Sequence, residues 1–386
     1  MAEQAEFTVT EEQRELRTAL HRFCERAHDE ATVRRLMASD DGFDRALWAR
    51  LGGELGALSL AVPEELGGAG GTVVDQAVAA EELGAALVTG PLLGTVGLAI
   101  PALVAAPASG TRDALLADLA AGTRTGALVA GLFAPYDGAT AAAVTAAGGT
   151  LSGEIGHVPD AAAADVLLVA ADGPDGPVLA CVEPGVPGVT VTGRGSLDPT
   201  RRIARVRLDG AAGTVLATGD DADRALQHAF RTAGALLAAE QVGIAARLLE
   251  LTVGYATQRW QFGRPIGSFQ AVKHRLADML VGVEQARTAA LHAAWAIVDP
   301  RLDDPDLAVA IAQATCSEVA YRAAADTVQL HGGIGFTWEH PAHLYYKRAI
   351  ADAALLGSAE EYRERIAAAV LDTLPDDLAV PRVATG

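Results

Sequence analysis

The sequence predicts an α+β protein in which a small β region lies between two helical ones. Three observations carry this. Helical spacing of apolar residues runs from Thr8 to about Ala106; short runs rich in Val, Leu and Ile fill about Gly126 to Val215; long Ala/Leu-rich stretches with few turn signals occupy Asp221 to Val370.

In the first region Leu16, Leu20, Phe23 and Ala27 recur at three- and four-residue steps and form one apolar stripe, and Thr10 with Gln13 offers a capping box at its start. The segment LGALSLAVPEELGGAGG then interrupts the pattern with a proline and several glycines, unsuited to a helix interior, before helical spacing resumes over Val74 to Leu87. In the middle region VLLVA, VLACVE and GVTVTG are separated by Gly, Pro and Asp turns, the signature of short strands. In the last region Asp221 to Asp223 and Asp303 to Asp306 read as helix starts, and the abundant alanine favours close helix packing. No fixed-period repeat is present.

Composition narrows the function classes. With 386 residues, half of them hydrophobic, the chain can bury cores for two or three domains. A formal net charge of -19 makes the average surface repel phosphate backbones and anionic lipids, so neither nucleic acid nor a membrane is expected as a partner. Locally, Arg201, Arg202, Arg205, Arg259, Arg264, Lys273, His274 and Arg275 are cations that an anionic cofactor could use. Cys24, Cys181 and Cys316 are odd in number and widely spaced, which argues against disulfides and metal ligation and suits a reducing cytoplasm. His331, His340 and His343 lack metal spacing on one helix face, and Trp338 reads as a packing residue. The acidic N-terminus is unlike a targeting peptide, and no apolar run is long enough to span a bilayer.

Two strings carry chemistry. QRWQFGRPIGSFQAVKHRLADM, Gln258 to Met279, ends one helical stretch, turns through Gly263 to Gly267 and opens another. Arg259 offers a forked cation for a pyrophosphate, Phe262 and Phe269 flat faces, and Gln270 a donor and acceptor for a nucleotide edge. The same residues would also serve a structural helix-turn-helix with an exposed arginine. In QLHGGIGFTWEHPAHLYYKR, Gln329 to Arg348, Gly332, Gly333 and Gly335 allow close backbone approach to a ligand or another chain, or else a helix C-cap followed by a loop.

Together these strings resemble the acyl-CoA dehydrogenase family, whose members carry R-x-x-F-G-x-x-(I/L)-x-x-(F/H)-Q and, further on, Q-x-x-G-G-x-G. TEEQRELRTALHRF, ELGALSLAVPEELGGAGG and VVDQAVAAEELG are similar to that family's first helix, Pro-Glu-Glu-x-Gly-Gly loop and following helix. The resemblance implies an N-terminal α-helical domain (1–125), a small central β-barrel or sandwich (126–217) and a C-terminal four-helix bundle (218–386) that binds FAD and forms the oligomer. It implies α,β-dehydrogenation of an acyl-CoA thioester by α-proton removal and hydride transfer to FAD. It places Arg259, Gln261, Phe262, Phe269 and Gln270 on the FAD of a neighbouring subunit, Gln329, Gly332 and Gly333 on its ADP part, and Ser358 near the flavin phosphates. One site completed by two chains implies a homo- or hetero-tetramer built as a dimer of dimers, with an electron-transfer flavoprotein as a further candidate partner.

The catalytic base departs from the pattern. Where most members have Glu before Gly in a C-terminal E-G-T segment, the chain has Leu356 before Gly357, and where a smaller group has Glu early in the first long helix of the last domain, hand alignment puts Gly234. The flavin-covering segments depart too: Leu132 to Gly138 replaces T-E-P-x-x-G-S-D, and His157, or nothing, stands for the ring-facing Trp. Glu240 and Asp352 are candidates for a relocated base. Glu240 lies in an apolar helical stretch whose burial would raise its pKa, or else it is a buried acid paired with an arginine; it sits ~240° around the helix from Gly234. Arg231 is a candidate for a CoA phosphate, or a solvated surface arginine.

Likeness in AEQVG, GFTWEH and the C-terminal L-G-x-x-x-x-(H/Y)-R to two-gene actinobacterial dehydrogenases of bulky acyl-CoA esters leads to a first expectation: one subunit of a hetero-oligomer whose partner supplies the base. The alternatives are a family member that binds or reacts without dehydrogenation, and a dehydrogenase with a relocated carboxylate.

Overall fold

A computed structural model of the chain describes residues 9–138 and 143–371. Thr8, where the helical pattern was expected to begin, and residues 372–386, assigned to the last domain, lie outside the described residues.

The first part is helical: α1 (Glu11–Ala27), α2 (Glu30–Met37), α3 (Arg45–Gly53), α4 (Val73–Ala85), then a π-helical turn over Leu92–Ala99 running into α5 (Ile100–Ala105), and α6 (Gly110–Ala120). Thr10 and Gln13 form the reciprocal capping box of α1. The Pro- and Gly-rich interruption is an ordered loop. Gly70 N–H donates to the Val62 carbonyl, and a side chain on Gly68 would strike Val62 at 2.1 Å, so glycine is required there.

Eight strands follow: β1 (Gly126–Val129), β2 (Val144–Ala147), β3 (Thr150–Pro159), β4 (Val166–Gly173), β5 (Gly176–Val182), β6 (Val189–Arg194), β7 (Ile203–Ala212) and β8 (Thr214–Thr218). They make one mixed sheet in the order β6-β7-β3-β2-β4-β5-β8, with β1 parallel to β4. On β1, β4 and β5 alternate residues face different cores. Leu128, Leu168 and Leu179 pack against helices of both flanking parts, whereas Val129, Val169 and Ala180 meet Ile155, Val206 and Leu208 of β3 and β7 in a core inside the sheet. Burial on both faces explains why VLLVA reads as a continuous apolar run.

The last part is a bundle of α7 (Gly219–Gln258), α8 (Gln270–Val298), α9 (Pro305–His331), α10 (Ala342–Asp352) and α11 (Ala359–Leu371). Asp304 caps α9 through the amides of Asp306 and Leu307. At α7 no side chain caps the start, and Asp220 and Asp221 act through the helix dipole. The central α7 touches α4, the π-helical turn, α8 and α9, and small residues permit this. Ala233 lies against Gly97, and Gly243 meets the α4 backbone so closely that a methyl group there would sit 1.9 Å from the Glu81 carbonyl oxygen.

This close approach gives a direct test. Gly243→Ala should cost at least ~1–3 kcal/mol in denaturant unfolding through overpacking. Gly254→Ala, in the same helix with open space around the position, should instead gain about 0.5–1 kcal/mol.

Candidate functional site

The two signature strings fold as neighbours on the outer face of the bundle. After α7 ends at Gln258 the chain makes a two-stranded turn, Trp260–Gln261 against Arg264–Pro265, and enters α8 at Gln270. Phe262 stands at the tip with φ 53° and is 90% exposed; its ring meets Phe269 edge-on at 6.1 Å, and Arg264 lies 4.0 Å over the Phe269 ring. Arg259, Gln261 and Gln270 are exposed, and Arg259 has no ion-pair partner among the described residues. Among the described residues Gln270 reaches His274, at 3.4 Å.

The second string ends α9 at His331 and turns through Gly332 and Gly333, with Gln329 exposed on the last helical turn. Gly332 has φ 63°, and a Cβ on either glycine would meet nothing within 4 Å, so the turn is an open cradle of backbone. His331 stacks on Tyr255 and lies tilted at 45° against His340, and Nδ1 of His331 is bonded to the Thr327 carbonyl. Burial holds the His331 ring below its ordinary pKa, as it does His340 and His343, the last down to about 4. Trp338, expected as a packing residue, is 60% exposed, with Lys347 over its ring at 4.6 Å.

A long exposed cation without a counter-ion, flat aromatic faces, an exposed amide and an open glycine turn form a donor set that fits the adenine and pyrophosphate end of a dinucleotide. All of it points outward, as a site closed by a second chain requires.

The other end is different. Leu356 is buried, with its backbone in the left-handed region at φ 61°; its N–H donates to the Leu132 carbonyl at 2.8 Å, and its carbonyl accepts from Tyr362 Oη at 2.7 Å. The loop Leu132–Gly138 is fastened onto the bundle. Pro135 lies where a side chain on Gly357 would be, the Tyr136 ring packs on Phe230 at 5.0 Å, Tyr136 Oη donates to Asp223 at 2.5 Å, and Arg365 donates to the carbonyls of Pro135 and Tyr136. His157 is exposed on β3 with Phe133 edge-on at 5.9 Å. A cavity of about 130 Å³ beside Pro135, Phe230 and Arg231 and one of about 20 Å³ between Val96, Ile100 and Thr232 are small for an acyl chain. Three larger clefts, about 560, 540 and 330 Å³, lie elsewhere.

Several residues singled out from sequence have other work. Arg231 forks onto Asp306 at the start of α9 with both bonds at 2.5 Å, at a partly exposed position. Gly234 is a helix contact: a Cβ would lie 2.6 Å from Val309, and its carbonyl accepts from Gln313. Ser358 caps α11 in a reciprocal contact with Glu361. Arg201 and Arg202 face inward and Arg205 pairs with Glu154, so these three do not form an anion site.

Glu240 is fully engaged by arginines. Both its oxygens accept from Arg201 at 2.7 and 2.8 Å, and Arg348 donates to it as well. Burial alone would raise its pKa, as expected from sequence, but the two guanidinium groups outweigh burial and hold it below the ordinary value. It is therefore a poor base. Asp352 shows the opposite. Burial, reinforced by Glu240 and opposed by Arg201, pushes it up to about 8, and it is fully enclosed. Asp198, Thr200 and Asp160, which no sequence pattern singled out, complete this buried group.

The arrangement defines a class: a three-part α-β-α chain with an exposed arginine, aromatic and glycine surface on the outer face of its bundle and a buried turn at Leu356. The chain belongs to the acyl-CoA dehydrogenase family, matching its N-terminal domain over residues 10–123 and its C-terminal domain over residues 224–371. Members of this family are FAD-dependent oxidoreductases. The acyl-CoA dehydrogenase IpdE2 of Mycobacterium tuberculosis is 39% identical over 366 residues, covering 95% of this chain and 99% of its own. Among solved structures, the ChsE4-ChsE5 complex from Mycobacterium tuberculosis matches with a TM-score of 0.85 and 31% identity over 96% of this chain and 100% of that chain. A variant of the Tcur3481-Tcur3483 steroid acyl-CoA dehydrogenase matches with a TM-score of 0.82 and 29% identity over 95% of this chain and 99% of that chain. No helix among the described residues is long and apolar enough to cross a membrane.

If Glu240 holds two buried arginines rather than taking a substrate proton, Glu240→Gln should cost about 3–5 kcal/mol in urea unfolding, the penalty for breaking a buried pair. A base acting on substrate would leave the unfolding midpoint unmoved.

Proposed function

We propose that this chain is the flavin-clamping half of a hetero-oligomeric acyl-CoA dehydrogenase acting on a bulky acyl-CoA thioester, with a related partner chain supplying the base. The observation that carries this reading is the contrast between an exposed clamp built around Arg259 and a base position filled by Leu356 and locked to Leu132 and Tyr362. The two-chain complex and the steroid dehydrogenase among the structural relatives support it.

In this reading Arg259 pairs with the FAD pyrophosphate, Phe262 and Phe269 cover apolar surface of the nucleotide, Gln261 and Gln270 bond its polar edges, and Gln329, Gly332 and Gly333 admit the ADP part against bare backbone. Ser358, already a helix cap, has only a spare lone pair to offer there. When bound, FAD supplies acceptance of the hydride from the acyl β-carbon. This chain's residues hold the cofactor and, through the fastened Leu132–Gly138 loop, exclude water beside it. They do not remove the α-proton, because Leu356 has no acid-base function and Glu240 is held by arginines.

Arg259→Ala should weaken FAD retention by about ten- to a hundredfold, since a charge-assisted contact is worth about 1.5–3 kcal/mol. Fluorescence titration of the co-expressed assembly reads this, and full retention of FAD through gel filtration would remove Arg259 from the site.

Isolated chain loaded with FAD should stay oxidised when acyl-CoA is added, because hydride loss without α-deprotonation builds positive charge that nothing offsets. Adding the partner chain should bleach the flavin absorbance. Prompt bleaching without a partner would overturn the shared-subunit reading, and the same chain failing to bleach with every related partner would favour a non-dehydrogenating role.

A further inference from the structure

The outer side of α8 is left uncovered by the rest of the chain. Met279, Val283, Ala286 and Ala290 line the other side of the helix and are buried in the bundle. At about 100° per residue, Lys273, Ala277, Leu280, Val281 and Glu284 fall together on the opposite side, within a sector of about 100°. Leu280 and Val281 are 50% and 56% exposed. On the neighbouring α9, Val319 faces Gly282 and Asp326 pairs with Arg275, so Tyr321 stands level with Leu280. Tyr321 is 44% exposed and backed by the Tyr346 ring at 6.1 Å, and it widens the apolar patch.

The charges that frame this patch suit a second copy of the same face. Lys273 is exposed and has no ion-pair partner among the described residues. Glu284 gives one oxygen to Arg287, which Glu81 shares, and its Oε2 has no partner among the described residues. About 16 Å of helix rise separates Lys273 from Glu284, with Ala277, Leu280 and Val281 between them. The midpoint falls between Asp278 and Met279. A two-fold axis through it lays two α8 helices antiparallel, brings Lys273 of each copy to Glu284 of the other, and sets Ala277 opposite Leu280 twice over. A parallel pairing would instead set lysine on lysine and glutamate on glutamate.

We propose that this face is a homotypic interface, through which two copies of the chain meet along α8 about a two-fold axis. The contact goes beyond the flavin clamp and does not rest on it. Leu280, Val281 and Tyr321 are covered in both copies and supply the adhesion. The two symmetry-related Lys273–Glu284 contacts fix direction and register: exposed ion pairs contribute little by themselves, but like charges in their place repel. Gln270 lies at the start of α8, so the contact ends where the clamp begins, and the Trp260–Pro265 ribbon lies beyond it. In an assembly with a related chain, two copies of this chain then stand back to back.

Sedimentation equilibrium of the full chain alone tests the contact, and with neither FAD nor the related chain present its outcome is separate from that of the flavin reading. The native chain should form a reversible dimer. Lys273→Glu and Glu284→Lys should each weaken it by about tenfold or more, because both symmetry-related pairs turn repulsive, and the double exchange should return the affinity to within about threefold of native. Val281→Asp, which puts two carboxylates into the apolar patch, should weaken it by about a hundredfold. These side chains are exposed, so the fold should stand, and circular dichroism checks that it does. A monomeric native chain, or a double exchange no better than the single ones, would overturn the proposal. Crosslinking gives the same decision in the co-expressed assembly. Cys24, Cys181 and Cys316 are buried, so Ala277→Cys supplies an accessible thiol beside the axis and should join the chain to its own copy on mild oxidation, whereas Gln285→Cys, far from the axis, should not. No self-crosslink from Ala277→Cys, or an equal one from Gln285→Cys, would count against the interface.

Discussion

The seam held by Arg201, Arg348, Glu240 and Asp198 is the constraint on which the rest of the molecule depends. Each arginine is buried and reaches at least two carboxyl groups from different segments: Arg201 joins α7 and α10, and Arg348 joins α7 to the turn between β6 and β7. Through Asp160 and the Gly94 amide the same group reaches the first helical part. A buried pair contributes little over an apolar replacement, but removing one member strands a charge, so the group sets where the parts sit more than how tightly they adhere. Apolar contact around it supplies the adhesion, through Leu128, Leu168, Leu226, Phe230 and Leu356 in one continuous core.

That geometry separates an exposed outer face from a buried inner one. On the outer face Phe262, Trp260, Phe336 and Trp338 are large and exposed beside Arg259 and the Gly332–Gly333 turn, a surface that a single chain leaves uncovered. Exposed apolar area of this kind marks an interaction surface. On the inner side Leu356 joins the core, and the Leu132–Gly138 loop closes over it by way of Tyr136 and Arg365. A leucine at such a place allows the neighbouring loop to pack on an apolar floor without stranding a charge.

The sequence by itself determined the α-β-α order, since that rests on local pattern: helical and strand periodicity, with a Gly-Arg-Pro turn between two helices. The Thr10 capping box and the Asp304 helix start were legible for the same reason, as both are contacts within one helical turn. Only the tertiary structure decided what the isolated charges do. Glu240 reads as a buried acid on its helix, yet its pKa depends on Arg201 and Arg348, which come from distant segments, and Arg231 reads as free until α9 brings Asp306 to it. Asp198 and Asp160 gave no signal in the sequence, because burial and charge balance are properties of a closed volume, and a volume walled by three parts of the chain has no local signature.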